Sequence, residues 1–288
     1  MGAQPQMAHI SDTARWVAYY RALETERADA LFRDPLARVL AGAQGEQIAL
    51  QIPGGAGNAW TMIVRTHVLD EMIMRLVREG KIDAVINLAA GLDSRPYRLD
   101  LPKNFRWFEV DLPGILAYKE PLLAKSQPNC TVERFAQDLA VPAERRALFA
   151  KLGGLCQKAL VLTEGLLIYL PEPLVAELAR DLRAVSSVHY WLQDVATPDL
   201  LVLLNRRWSK ALQAANAPFV FAPADGPQYY GPFGWRPVEI RYAIPEALRL
   251  DRLPLLLRAL TRLWRVLLSQ KARLAHERNS IYLLLERS

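Results

Sequence analysis

Four acidic residues in the 288-residue chain follow the ends of apolar runs: Asp93, Asp111, Asp138 and Glu164. A carboxylate at such a position accepts hydrogen bonds from ligand hydroxyls and pairs with cationic groups. One acid there is an ordinary helix cap, but four in series are harder to assign to capping alone. In an α/β sheet the carboxyl ends of the strands line the ligand crevice. Asp111 stands twenty positions after Gly91, the spacing at which an acid closing a second strand accepts the ribose hydroxyls of a nucleotide-type ligand.

The turn before Asp93 reads Asn87-Leu-Ala-Ala-Gly-Leu-Asp93. It is not G-x-G-x-x-G: Gly91 is its one glycine, which suits poorly the close backbone approach that a pyrophosphate needs. Asp93 would also repel phosphate. Such a turn suits a ligand that lacks phosphates and carries positive charge. S-adenosyl-L-methionine, with a sulfonium, an ammonium and an adenosine, has that chemistry. A dinucleotide-dependent oxidoreductase is disfavoured on the same ground.

Other side chains read two ways. His67 is a candidate general base or a structural, substrate-lining residue; two positions after Arg65 on a helix, it does not share that arginine's face. Tyr169 either faces an acceptor pocket or packs. His189 opens an apolar strand and reads as a core residue. Tyr229, Tyr230, Phe233 and Trp235 either wall a planar substrate or pack a loop. Arg258, Arg262, Arg265 and Arg273 form a basic stripe beside a leucine face. That stripe either docks an acidic carrier protein or an anionic membrane surface, or is a solvated helix face.

Helices are predicted at 11–31, 35–40 (ending at Gly42) and 60–79 (closed by Gly80), with a Pro/Gly break at 53–57. Strands are predicted at 84–88, 106–110, 131–135, 160–163 and 188–194, alternating with helices at 112–126, 143–151, 172–185 and 200–215. The apolar, β-branched character of the first and fourth strands marks them as central. Residues 218–234 read as a loop, 238–242 and 281–286 as late strands, and 253–275 as one long helix. This alternation implies a doubly wound, mostly parallel sheet with an antiparallel edge pair. It divides into a helical N-terminal cap (1–80) and a core (81–288) with a substrate-loop insertion at about 216–236.

The composition, 51% hydrophobic and 23% charged, is that of an ordinary globular protein. The net charge of +6 comes mostly from arginine, and no basic cluster is interleaved with aromatics, so nucleic acid is not an expected partner. Cys130 and Cys156 belong to no close Cys/His pair, and no zinc or other metal is expected. No signal peptide is visible, and no apolar run reaches the ~18 residues of a membrane span. The expected location is the cytoplasm.

The chain resembles the leucine carboxyl methyltransferase family, in its bacterial branch of S-adenosylmethionine-dependent O-methyltransferases, which includes polyketide-tailoring enzymes. The matching pieces, in order, are Arg33-Asp-Pro-Leu36, Val64-Arg-Thr66, 88–95, 108–113, Asp138-Leu139, 162–171 and Gly234-Trp235. The resemblance implies a class I methyltransferase fold and a set of roles. Asp111 binds the ribose; Asp138 and Leu139 hold the adenine. Gly91 lets the turn approach the methionine part, whose carboxylate Arg65 binds and whose ammonium lies near Glu164. Arg21 matches a basic residue that closes over the cofactor. The chain departs from the family with Ala89 where a glycine is usual, Ser94 for threonine, and His67 for a second arginine.

The expected activity is methylation of a small-molecule carboxylate or phenol. A carboxylate is ionised at neutral pH and needs no base, whereas a phenol benefits from one. The alternatives are methylation of a protein C-terminal carboxylate and a non-catalytic cofactor-binding or scaffolding role.

Overall fold

The computed structural model describes residues 12–51, 55–214 and 218–288. Its centre is two strands whose residues are all buried, β1 (Ala84–Leu88) and β4 (Ala159–Thr163). Both are apolar, except for Asn87 and Thr163, and both are covered on two faces, which is what makes a strand central in a parallel sheet. Around them lie β2 (Arg106–Asp111), β3 (Thr131–Ala136), β5 (Val188–Ala196), β6 (Trp235–Tyr242) and β7 (Ser280–Arg287), in the spatial order β3-β2-β1-β4-β5-β7-β6.

β1 to β5 are mutually parallel, and β7 pairs antiparallel with both β5 and β6. The late pair is therefore at the edge, as expected, but the later strand is inserted between β5 and β6, and it alone is reversed. After β1 the chain winds toward β2 and β3, then returns to the other side with β4. The switch point, where a doubly wound sheet opens a crevice, thus falls between β1 and β4.

The period of two along β1 sorts its side chains to two cores. Ala84, Ile86 and Leu88 join one apolar cluster with α6 (Pro142–Gly153) and α7 (Glu172–Ala184), and Val85 joins another with α3 (Ala59–Arg78) and α9 (Ala243–Arg249). A third cluster belongs to the N-terminal cap. It packs α1 (Asp12–Thr25) and α2 (Ala37–Gln51) against α5 (Pro113–Leu123) and Leu92. Helix α4 (Arg95–Arg98) follows the β1 turn, and α8 (Pro198–Ala214) follows β5.

The cap helix does not stop at Gly42: a kink there (φ +59) redirects it, and the helix continues to Gln51. The single helix expected over 253–275 is two, α10 (Leu255–Leu267) and α11 (Gln270–Glu277). Leu268 is extended between them, and Ser269 caps the second by accepting a hydrogen bond from the Ala272 backbone. Arg258 pairs with Asp251 at 2.6 Å; the side chains of Arg262, Arg265 and Arg273 lie outside the described set. No helix among the described residues is long and apolar enough to cross a membrane.

Candidate functional site

At the carboxyl end of β1 the chain turns through two residues with positive φ, Ala89 at +53° and Gly91 at +52°. The turn is fixed to β2 twice. Ala90 N donates to the Val110 carbonyl at 3.1 Å, and Gly91 N donates to the Asp111 carboxylate at 2.6 Å. The second Asp111 oxygen accepts from Leu112 N at 2.7 Å. Burial pushes the Asp111 carboxyl above its ordinary range, and these two N–H groups oppose the rise without cancelling it. A Cβ on Gly91 would stand 3.3 Å from Ala14 of α1, so the approach of the cap and the positive φ both favour glycine here. Ala89 has positive φ without being glycine, a conformation that is strained for an L-residue.

Arg21 is buried between α1 and this turn. Its Nε donates to Asp34 at 2.8 Å and its Nη2 to the Leu92 carbonyl at 2.6 Å, while Ser94 donates to Asp34 at 2.6 Å. Arg21 therefore fastens the cap to the turn.

Beside the turn runs a continuous ion network. Arg98 and Arg95 both pair with Asp70, and Arg95 pairs in addition with Asp93 at 3.0 Å and Glu164 at 2.7 Å. Glu164 accepts from Arg65 at 2.9 Å, and Arg65 reaches Asp194 at 3.1 Å. Three guanidinium groups thus face four carboxylates, leaving one negative charge in excess. Asp93, read from the sequence as an anion in the turn, has its oxygens bound by Arg95 and by Asn87. Burial pushes the Asp93 carboxyl up, but Arg95, Lys119, Arg21 and Arg98 outweigh it and bring it down to about 2. For Glu164, burial is outweighed by Arg95 and Arg65, and its carboxyl also lies below its ordinary range.

Tyr169, in a short 3-10 turn after β4, is brought to this crevice. Its hydroxyl is hydrogen-bonded to Thr13 of the cap, its ring stands 5.2 Å from Phe219, and it interacts with Arg65 and Asp194. Burial pushes its phenol up to about 12, so at neutral pH it is a hydrogen-bond donor and not a base. His67 is not brought here. Its Nε2 lies 3.3 Å from Glu71 on its own helix, and Glu71 is bound by Arg241 and Arg249 of β6 and α9. Asp138 is exposed after β3, and its carboxylate accepts from Ala140 N. Leu139 packs against the first core, and its carbonyl accepts from Arg145 at 2.9 Å. Tyr230 is buried with its hydroxyl on Gln193, and Trp235 is buried with its indole on the Ala179 carbonyl; both meet Trp191 edge to face. These two are core residues and do not line a substrate.

The sequence reading passed over Asp194. It lies in β5, accepts from Gly165 N at 2.6 Å through one oxygen, and pairs with Arg65 through the other. The one available signal was its place at the end of a predicted strand.

The sequence model of the leucine carboxyl methyltransferase family matches residues 14–183, more than half of the chain. A Mycobacteroides abscessus protein named as a candidate S-adenosyl-L-methionine-dependent methyltransferase is 38% identical over 194 residues, 62% of this chain and 62% of that protein. A Mycobacterium marinum protein of the same name is 34% identical over 216 residues, 69% of this chain and 70% of that one. The chain thus spans less than two thirds of the length of the first of these relatives. Among solved structures, a DUF574 family protein from Streptomyces avermitilis superposes with a TM-score of 0.60 at 12% identity, covering 96% of this chain and 97% of that one. A candidate methyltransferase from Thermobifida fusca gives 0.57 at 19% identity, covering 98% and 96%. Both share the fold.

Proposed function

The chain belongs to the leucine carboxyl methyltransferase family, and we propose that it transfers the methyl group of S-adenosyl-L-methionine to an oxygen of a small-molecule carboxylate or phenol. One observation carries this reading: the crevice at the β1–β4 switch point is bordered by an ion network with one negative charge in excess, beside a turn that lacks a phosphate cradle. S-adenosyl-L-methionine, with two cationic centres and one carboxylate, carries the complementary charge. The names of the relatives support the same donor.

The donor set fits the group. Asp111 would take the ribose hydroxyls, with its geometry preset by Gly91 and Leu112. Asp138 and Leu139 would border the adenine, with Arg145 holding the Leu139 carbonyl in place. The hydrogen bonds of the described residues engage Nε and Nη1 of Arg65 and leave Nη2, the donor that would meet the methionine carboxylate. Glu164 would lie near the ammonium, and Gly91 would let the backbone pass close to the methionine part. Asp93 and Arg21 act one step back, by holding Arg95 and the cap. When bound, the group supplies an electrophilic methyl carbon, so the protein's contribution is orientation and exclusion of water.

On the acceptor side, Tyr169 and Phe219 form an aromatic pair, and Val220 N donates to the Ile168 carbonyl at 2.8 Å. An aromatic pair of this kind offers a flat apolar surface, which suits a small planar acceptor. The Tyr169 hydroxyl, protonated at neutral pH, would be the hydrogen-bond donor nearest such an acceptor on this side. The test is transfer of a labelled methyl group to panels of phenols, small carboxylic acids and peptides ending in a free carboxylate. Labelling of small acceptors is expected; labelling confined to peptides would overturn the acceptor class.

A further inference from the structure

Arg65 carries the recognition of the ligand's carboxylate in the reading above, and a long flexible side chain is useful there only if it is held in one orientation. Glu164 holds its Nε, but the other Glu164 oxygen is shared with Arg95. The second hold comes from Asp194. Its Oδ2 accepts from Arg65 Nη1 at 3.1 Å, and its Oδ1 accepts from Gly165 N at 2.6 Å. One carboxylate therefore fixes both the guanidinium and the backbone immediately after Glu164.

The local backbone is shaped to this contact. Gly165 has φ +65°, and a Cβ there would stand 3.3 Å from Arg65 Nη1. The register between β4 and β5 pairs Thr163 with Gln193, which brings the next residue of each strand path, Glu164 and Asp194, side by side. Two neighbouring carboxylates would repel each other, and the guanidinium between them removes that repulsion.

We propose that Asp194 is a positioning residue for the amino-acid end of the methyl donor, holding Arg65 and the Glu164–Gly165 turn in the single arrangement that leaves Nη2 for the ligand. The proposal rests on the methyl-donor reading and adds to it a residue outside the strand-end series read from the sequence.

Two ligands separate this role from general damage. S-adenosylhomocysteine carries the amino-acid end; 5′-methylthioadenosine has the same adenosine and sulfur without it. Calorimetric affinities for both are measured on the full chain and on Asp194→Asn, which keeps the shape and the acceptor for Gly165 N. S-adenosylhomocysteine binding is expected to weaken about tenfold, equivalent to about 1.4 kcal/mol, and methylthioadenosine binding to change less than about twofold. Equal weakening of both ligands, or an unchanged S-adenosylhomocysteine affinity, would overturn the proposal. If Asp194→Asn does not fold, Asp194→Glu, which retains and displaces the charge, serves for the same comparison with the same outcomes. An unsubstituted chain that binds neither ligand would refute the methyl-donor reading itself, and this proposal with it.

Discussion

At the carboxyl ends of β1, β2 and β4 the carboxylates have named partners: Asp111 two backbone N–H groups, Asp93 Arg95 and Asn87, Glu164 two arginines. Beyond Asp194, which belongs to the same charged network, the segments at this edge of β5 and β7 are of another kind. Ala196 of β5 pairs with Ser280 of β7, so the helices that leave β5 and lead into β7 meet the sheet here. Of these segments, α8 exposes Val202 and Leu203, and α10, which precedes α11, exposes Leu255, Leu256, Leu263 and Leu267. Charged groups need partners at fixed distance and angle, which suits a region that holds one constant ligand. Apolar contact is non-directional, and the exposed side chains of α8 and α10 are not held by such fixed partners.

If the charged half is as closely balanced as this contrast requires, its largest response is to losing a cation. Arg95→Met leaves Asp70, Asp93 and Glu164 without their common partner, and is expected to lower stability by about 3–5 kcal/mol in urea unfolding. A loss below 1 kcal/mol would mean that the network is dispensable. Acid probes the same balance. The Asp93 carboxyl lies at about 2 in the fold against 3.8 as its ordinary value, so its contribution is fully present above pH 4 and disappears as pH falls through 2. About 2 kcal/mol should be lost over that window, and Asp93→Asn should flatten that part of the curve of stability against pH.

The strain at Ala89 offers a smaller test. Ala89→Gly removes the cost of φ +53° but adds backbone freedom to the unfolded chain, and a net gain of up to about 1 kcal/mol is expected in thermal unfolding. Destabilisation would show that the alanine methyl contributes packing. The smallest effect is expected at His67. Its partner Glu71 belongs to the α9–β6 surface, so His67→Gln should leave turnover at saturating donor within about twofold, well below the ~10²-fold of a lost general base.

Much of the charged half was legible in the sequence. Apolar runs ending in acids located Gly91, Asp111 and Glu164, and the largely apolar runs at 84–88 and 160–163 identified the central strands. Helical geometry also separated His67 from Arg65. What escaped depends on tertiary contacts. Asp194 gains meaning only when β4 and β5 pair and bring it to Gly165. The positive φ at Ala89 cannot be read from an alanine. The break at Leu268 was masked by apolar periodicity continuing across it, although Ser269 supplied a capping signal. Arg95 closes the 88–95 motif, but its role in binding three carboxylates follows from α4, a four-residue helix too short to leave a periodic pattern.

Calorimetric titration of S-adenosylhomocysteine into the unsubstituted chain and into Asp111→Ala addresses the account most directly. Saturable one-to-one binding is expected for the first, with a loss of about 1–3 kcal/mol in the second, the scale of hydrogen bonds to a charged acceptor. No binding heat at millimolar ligand, or equal affinity in the two proteins, would contradict it.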